Sequence, residues 1–260
     1  MFRKSIVIVF MLGLCLAVKE AAAFEMLENF FNKLDLGYEE GAIIGMGVGV
    51  VSKPYIDVDA QVIPAPMINL QYKRFFIEGS SIGYYLNKNE KFKFAAIGAP
   101  RFWGYEPDDS NALTNMTKRG GSFDAGVRGT LVNDALFDTE VTFLSDVTDE
   151  HNGQEVALFI KRAFVQGALT PRIGLKWHSN NLVEHYFGVK TSEARPGRPA
   201  YDPDSSMSFV AGGTLALPIG EKWAFVTDAS VMVMGEEMTD SPIVEDDAIW
   251  SVVSGFVYRY

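Results

Sequence analysis

The sequence predicts an all-β protein, a single antiparallel transmembrane β-barrel closed by its first and last strands. Three observations carry this reading. The chain opens on an export leader, and its apolar residues then recur with a period of two almost to Tyr260. Its one cysteine, Cys15, falls inside that leader. An exported chain left without thiols has no disulfides to rely on, so size, closure or membrane burial must supply its stability.

The leader comes first. Arg3 and Lys4 precede an apolar run from Ile6 to Val18, and Ala21-Ala22-Ala23 supplies a small-residue cleavage site. Residues 1–23 therefore read as a signal peptide, with the mature chain beginning at Phe24. A transmembrane anchor fits less well, because the small residues of a cleavage site begin at Ala21, three positions after the run ends. Leu14 stands before Cys15, where a lipoprotein signal requires a small residue. Cleavage removes Arg3, Lys4, Lys19 and Glu20 and takes the formal charge from −10 to −12. So acidic a chain has no electrostatic case for binding nucleic acid.

Over 24–34, Leu27, Phe30, Phe31 and Leu34 fall at helical spacing, which reads as a short N-terminal helix or as an arm. From 35 to 260 the chain reads as one barrel domain. Strands are expected over 43–51, 62–72, 75–86, 91–101, 122–132, 136–144, 155–165, 170–177, 207–217, 223–234 and 248–260, with 182–189 a weaker addition. Turn-forming residues separate them, among them Asn133-Asp134, Gly167 and Gly220-Glu221. The last strand is the clearest: Trp250, Val252, Phe256, Tyr258 and Tyr260 share one face, aromatic at its ends, as lipid-facing rows are.

The opposite faces carry charge that hydrocarbon would not tolerate. Period two assigns Glu78, Lys93, Arg101, Asp124, Arg128, Asp138, Glu140, Lys161, Arg172, Lys176 and Asp228 to the lumen, where both signs can pair. A soluble sandwich would alternate too, but with its charged rows outside. Closure with both ends on the periplasmic side requires an even strand count. Admitting 182–189 gives twelve, the preferred number; demoting an uncertain member gives ten. Either way, counting forward leaves the long 107–120 connection on the periplasmic side, as an excursion or the sign of a misread strand.

Several short stretches point to a family. They are Gly45-Met46-Gly47-Val48-Gly49-Val50 with Pro54-Tyr55, Pro66 to Tyr72, and Leu113-Thr114-Asn115-Met116-Thr117-Lys118-Arg119. Tyr186-Phe187-Gly188-Val189, Asp240-Ser241-Pro242-Ile243-Val244 and Gly255-Phe256-Val257-Tyr258 follow in order. Together they resemble the MltA-interacting protein (MipA/OmpV) family of Gram-negative outer membranes. Two departures stand out: Ile56 and Asp57 occupy the place of a frequent glycine, and the chain closes on Tyr260 rather than phenylalanine. The resemblance implies an outer-membrane barrel in contact with lipid. It also implies a scaffold that brings a periplasmic lytic transglycosylase together with a penicillin-binding protein, and it assigns neither role to a residue.

Signals for chemistry are sparse. Gly79-Ser80-Ser81-Ile82-Gly83 matches G-x-S-x-G formally, but it falls in an alternating strand with no helix after it, so packing is the expected role. Of the three histidines, His151 lies beside Asp149 and Glu150 in what reads as a solvated loop, and His178 and His185 flank a short asparagine-rich turn. Zinc would need three or four converging ligands. Glu236, Glu237, Asp240 and Glu245 offer oxygen ligands of the kind calcium takes, although an acidic surface loop is the simpler reading. The sequence thus assigns no catalytic, cofactor-binding or metal residue and no cofactor. It predicts a non-enzymatic structural or scaffolding barrel. A narrow channel for small polar solutes stands as the alternative, and a lipid-modifying barrel enzyme as a more distant one.

Overall fold

The computed structural model describes residues 41–133 and 136–260; the expected leader over 1–23 and the helix or arm over 24–34 lie outside them. Twelve antiparallel strands, each paired to its sequence neighbours, close on themselves. They are β1 (Gly41–Val51), β2 (Gln61–Tyr72), β3 (Phe75–Glu78), β4 (Ser81–Lys88), β5 (Phe92–Arg101) and β6 (Ser122–Leu131). Then come β7 (Asp138–Asp146), β8 (Gln154–Lys161), β9 (Leu169–His178), β10 (Ser206–Ile219), β11 (Trp223–Val233) and β12 (Ala248–Arg259). Two helices lie between strands: α1 (Asn180–Phe187) and α2 (Glu236–Thr239).

Alternation sets the two faces. On β1, Ile44, Met46 and Val48 are exposed on the outside, while Gly45, Gly47 and Gly49 line the interior. On β12, Trp250, Val252 and Phe256 point outward with them. The seam pairs Ile43 with Arg259 through to Val51 with Ser251. Gly47 stands opposite Gly255, and a Cβ on Gly255 would lie 2.5 Å from the Gly47 Cα, so only glycine allows this approach.

Two expectations need correction. The strand expected over 75–86 is a hairpin, β3 and β4, turning at Gly79-Ser80 with Gly79 at φ 60°. The segment over 182–189 contributes no strand; it forms most of α1. Twelve strands are therefore reached by another route, and the extra turn reverses the direction of everything before it. The 102–121 connection consequently joins 52–60, 147–153, 179–205 and 234–247 at one end, and the periplasmic excursion disappears. Short turns at 73–74, 89–91 and 220–222 occupy the other end, the one that faces the periplasm in such barrels.

The long connections fold inward over the barrel mouth. On α1, Leu182, Val183, Tyr186 and Phe187 are buried, the stripe of a helix face rather than of a strand. They pack with Tyr55, Tyr105, Leu113, Met116, Met238 and Ile243 into one apolar core drawn from four connections. Nearer the periplasmic end, Phe76, Tyr85, Ala95, Ile97 and Leu144 fill the interior, with the Phe76 and Tyr85 rings 4.5 Å apart.

Candidate functional site

The region that distinguishes this barrel is its charged lumen and the lid above it. Arg101, last residue of β5, donates through Nε and Nη2 to Asp124 on β6 at 2.9 and 2.6 Å, and through Nη1 to Glu155 on β8 at 3.0 Å. Lys176 on β9 reaches the other Glu155 oxygen at 2.9 Å, and His178 Nε2 lies 3.4 Å from Glu155. The guanidinium of Arg101 lies 4.9 Å from the Trp103 ring centre. These groups are almost wholly removed from solvent: the side chains of Arg101, Asp124 and Glu155 are 8%, 2% and 4% exposed. Charges so placed persist only because each has an opposite charge within hydrogen-bond reach.

Two further clusters line the lumen wall. Arg128 donates to Glu78 at 2.6 Å and lies 3.7 Å from Glu140, which Lys161 reaches at 3.2 Å. Arg172 holds Asp228 by two bonds of 2.7 and 2.8 Å, and the Thr214 hydroxyl donates to the same carboxylate at 2.6 Å. Asp138 accepts the Asn133 N–H at the β6–β7 turn, and Lys93 is half-buried on β5. Apart from Lys93 and Asp138, the residues that period two assigns to the lumen are realised as interlocking pairs.

The lid has its own polar centre. Arg119 donates through Nε to the His185 carbonyl at 2.8 Å and through Nη2 to Glu193 at 3.2 Å. Glu193 also accepts the N–H groups of Thr117 and Lys190, and Arg198 donates to the Glu193 and Thr114 carbonyls. Burial acts to raise the Glu193 carboxyl, but those N–H donors and Arg119 outweigh it and hold it below its ordinary value. Burial pushes the Tyr105 and Tyr186 phenols up to about 12. Burial and then the Arg119 charge push the His185 imidazole down to about 4.

The three histidines do not converge on the Gly79–Gly83 motif. His151, expected in solvent, is buried because its loop folds back onto the lumen: its Nδ1 accepts the Gly153 N–H at 3.0 Å, so its Nε2–H donates to Asp124 at 3.1 Å. His178 ends β9 just before α1, His185 lies in the last turn of α1, and the two face Glu155 and Glu150 respectively. Ser80 sits in a two-residue turn between strands, not on the strand-to-helix elbow that makes a serine nucleophilic.

Asp124, Asp146 and His151 bring ligand-type atoms within 4.8 Å of one another. Their atoms are already engaged, however: Asp146 accepts from the Thr148, His151 and Asn152 N–H groups and the Thr148 hydroxyl, which makes the trio a closed loop anchor. In the acidic loop, Glu237 accepts the Asp204 N–H and Glu245 the Asp57 N–H, tying connections together. Sequence reading missed Glu155, His151 and His178 as lumen groups. Glu155 was reachable, since it shares parity with Lys161 on β8.

Comparison with known proteins places this architecture. The family described as MltA-interacting protein MipA matches residues 44–260. The MltA-interacting protein of Escherichia coli K12 is 28% identical over 222 residues, covering 84% of this chain and 89% of that one. The putative outer membrane protein YiaT of the same organism is 25% identical over 222 residues, covering 84% and 90%. Outer membrane protein Omp26La of Vibrio anguillarum is 31% identical over 160 residues, 60% of this chain and 61% of its own. With that match running from β1 to the final residue of a closed barrel, the chain belongs to the MltA-interacting protein family of Gram-negative outer-membrane proteins.

Proposed function

We propose that the protein is a non-conducting structural barrel that presents its periplasmic rim to murein-remodelling enzymes, a lytic transglycosylase and a penicillin-binding protein. The observation that carries the first half is the buried network at the outer end of the lumen: Arg101, Asp124, Glu155 and Lys176 lock together along the β5–β9 wall beneath the four-connection lid. A solute would have to break buried ion pairs to pass, and an unpaired buried charge costs several kcal/mol, about 3–5 by mutational measure. The rim supports the second half. Lys73, Arg74, Lys91, Arg162 and Lys222 lie in the connections of the short-turn end, against Glu90 and Glu221 in the same turns, so that end is more basic than the acidic loops opposite. A basic rim suits an acidic protein surface, and the Escherichia coli relative is named for its interaction with another protein, MltA.

Two measurements test this. In planar bilayers the refolded protein should give no discrete openings under several salt conditions; reproducible steps would make it the channel for small polar solutes. In affinity capture from solubilised envelopes, murein enzymes should be recovered with the protein and lost when Lys73, Arg74 and Lys222 are changed to Glu. Equal recovery with an unrelated barrel would remove the scaffold role.

A further inference from the structure

The barrel wall is incomplete on one side. β2 spans twelve residues and β3 only four, so β3 pairs with Asn69–Tyr72 alone. Above that, 61–68 has β1 on one flank and no strand on the other. Across the gap, β4 reaches β5 only as far as Gly98, and 99–101 is paired to β6 alone. The result is a notch floored by the Gly79-Ser80 turn and framed by β2 and β5. Its depth follows from spacing. The Phe75 and Tyr84 rings, 4.8 Å apart, lie near the periplasmic girdle. From Phe75 to the end of β3 the chain climbs only about 10 Å, against an apolar band about 25 Å tall. The notch therefore opens within hydrocarbon.

Its edges are fitted to that position. The Ile68 carbonyl accepts the Gly79 N–H, which fixes the direction of alternate residues, so Val62, Pro64 and Pro66 also turn their backbones into the notch. On β5 the Lys91 carbonyl accepts the Val132 N–H on the β6 side; Pro100, of opposite parity, faces the notch as well. Three prolines thus occupy slots where a missing N–H removes no ladder bond. They also keep a strand of any partner from pairing into the gap. What is left is rich in acceptors. The carbonyls of Val62, Pro64 and Pro66 turn away from β1, the one strand paired with 61–68, and among the described residues no turn or loop bond reaches them; hydrocarbon cannot satisfy them. Ser80 is exposed on the floor, and the Glu78 carboxylate, paired to Arg128, is 40% exposed just inside. Directly below, on the lipid side, lies an apolar hollow of about 460 Å³ lined by Leu70, Phe75, Ile77, Ile82, Tyr84 and Ala96.

We propose that notch and hollow together bind a single-chain amphiphile drawn from the bilayer. Its alkyl chain lies in the hollow, and its head, an alcohol or ammonium that donates hydrogen bonds, rests against the Pro64 and Pro66 carbonyls. A carboxylate or phosphate head would find three carbonyls against two donors, the Ser80 hydroxyl and the Val62 N–H, and among the described residues no free cation, since the nearby Arg101 and Arg128 are already paired.

The test is photo-crosslinking of the protein refolded in phosphatidylcholine vesicles. One probe is a long-chain alkylamine with a mid-chain diazirine; the other is the carboxylic acid of equal length. Labelling by the amine should concentrate on peptides spanning 61–101 and exceed labelling by the acid there by about tenfold, the order that one charge-assisted hydrogen bond supplies. Ala96→Trp fills the hollow from the lipid side, where folding is not at stake, and should abolish the concentrated labelling while heat-modifiable gel migration is retained. Even labelling around the exterior, equal labelling by amine and acid, or labelling indifferent to Ala96→Trp would each overturn the site.

Discussion

Arg101 is the residue on which the outer lumen depends, because among the described residues it is the cation that bonds both Asp124 and Glu155. Arg101→Met keeps the unbranched apolar stem but leaves two buried carboxylates faced by Lys176, the neighbouring imidazoles and the Ser122 hydroxyl. The expected loss is about 3–5 kcal/mol of stability, measurable as a lower urea midpoint for loss of the heat-modifiable band. A midpoint equal to that of the wild type would mean the pairs are not structural. Outside, the cost of a charge should follow depth. Tyr258 packs on Trp223 and Tyr260 at the girdle, each 5.1 Å away between ring centres, so Tyr258→Lys should cost about 0–1 kcal/mol. Val252→Lys, deeper on the same face, should cost roughly 2–4 kcal/mol; the reverse order would mean the bilayer sits elsewhere on the barrel. Parity placed Arg101, Asp124, Arg172 and Asp228 inside because a strand's period is rigid. The burial of His151 was not legible, since it depends on a loop folding back, and such a contact leaves no local period.

Among the elements, α1 carries the pH response. Its His185 is faced by Arg119, Glu150, His151 and Lys190, and the folded lid holds it at about 4. Once α1 is displaced, the imidazole returns to its ordinary value of about 6.5 and takes up protons the closed lid refuses. His185 therefore favours closure above that value, and this contribution is lost as pH falls from about 6.5 towards 4. The depressed Glu193 carboxyl adds a second loss below the ordinary carboxylate range. Hydrogen exchange at 180–187 should accelerate over the first window while strand amides stay protected, and His185→Gln should flatten that window only. Exchange indifferent to pH in the unaltered protein would rule the mechanism out. The helix escaped sequence reading because eight residues are too few to separate a period of two from one of 3.6. The β3–β4 hairpin did leave a sign. The exposed row runs through odd-numbered Phe75 and resumes on even-numbered Ile82, Tyr84 and Leu86, a reversal that a single strand cannot make. Gly79-Ser80 marks the place as a glycine-first two-residue turn.

For the whole molecule, closure is the property that everything else presupposes. β12 is paired along its length on both sides, from Ile43–Arg259 to Val51–Ser251 with β1 and from Trp223–Tyr258 to Val233–Ala248 with β11. Removing it by truncation after Asp247 exposes two backbone edges in hydrocarbon. Each unsatisfied group costs several kcal/mol, and the sum far exceeds the roughly 5–15 kcal/mol by which a folded domain is ordinarily stable. A soluble sandwich losing an edge strand would often survive, because water satisfies the groups left bare. The two architectures therefore diverge under one deletion. The truncated chain should yield no protease-resistant, heat-modifiable species in outer-membrane fractions, whereas Gly255→Ala, which presses a methyl group against the Met46 carbonyl, the Gly47 backbone and the Met67 sulfur at the seam, should give a folded protein with a lowered midpoint. A truncated chain that still inserted and resisted protease would show that the barrel does not need its seam, and the closed-wall account of both the lumen and the notch would fall with it.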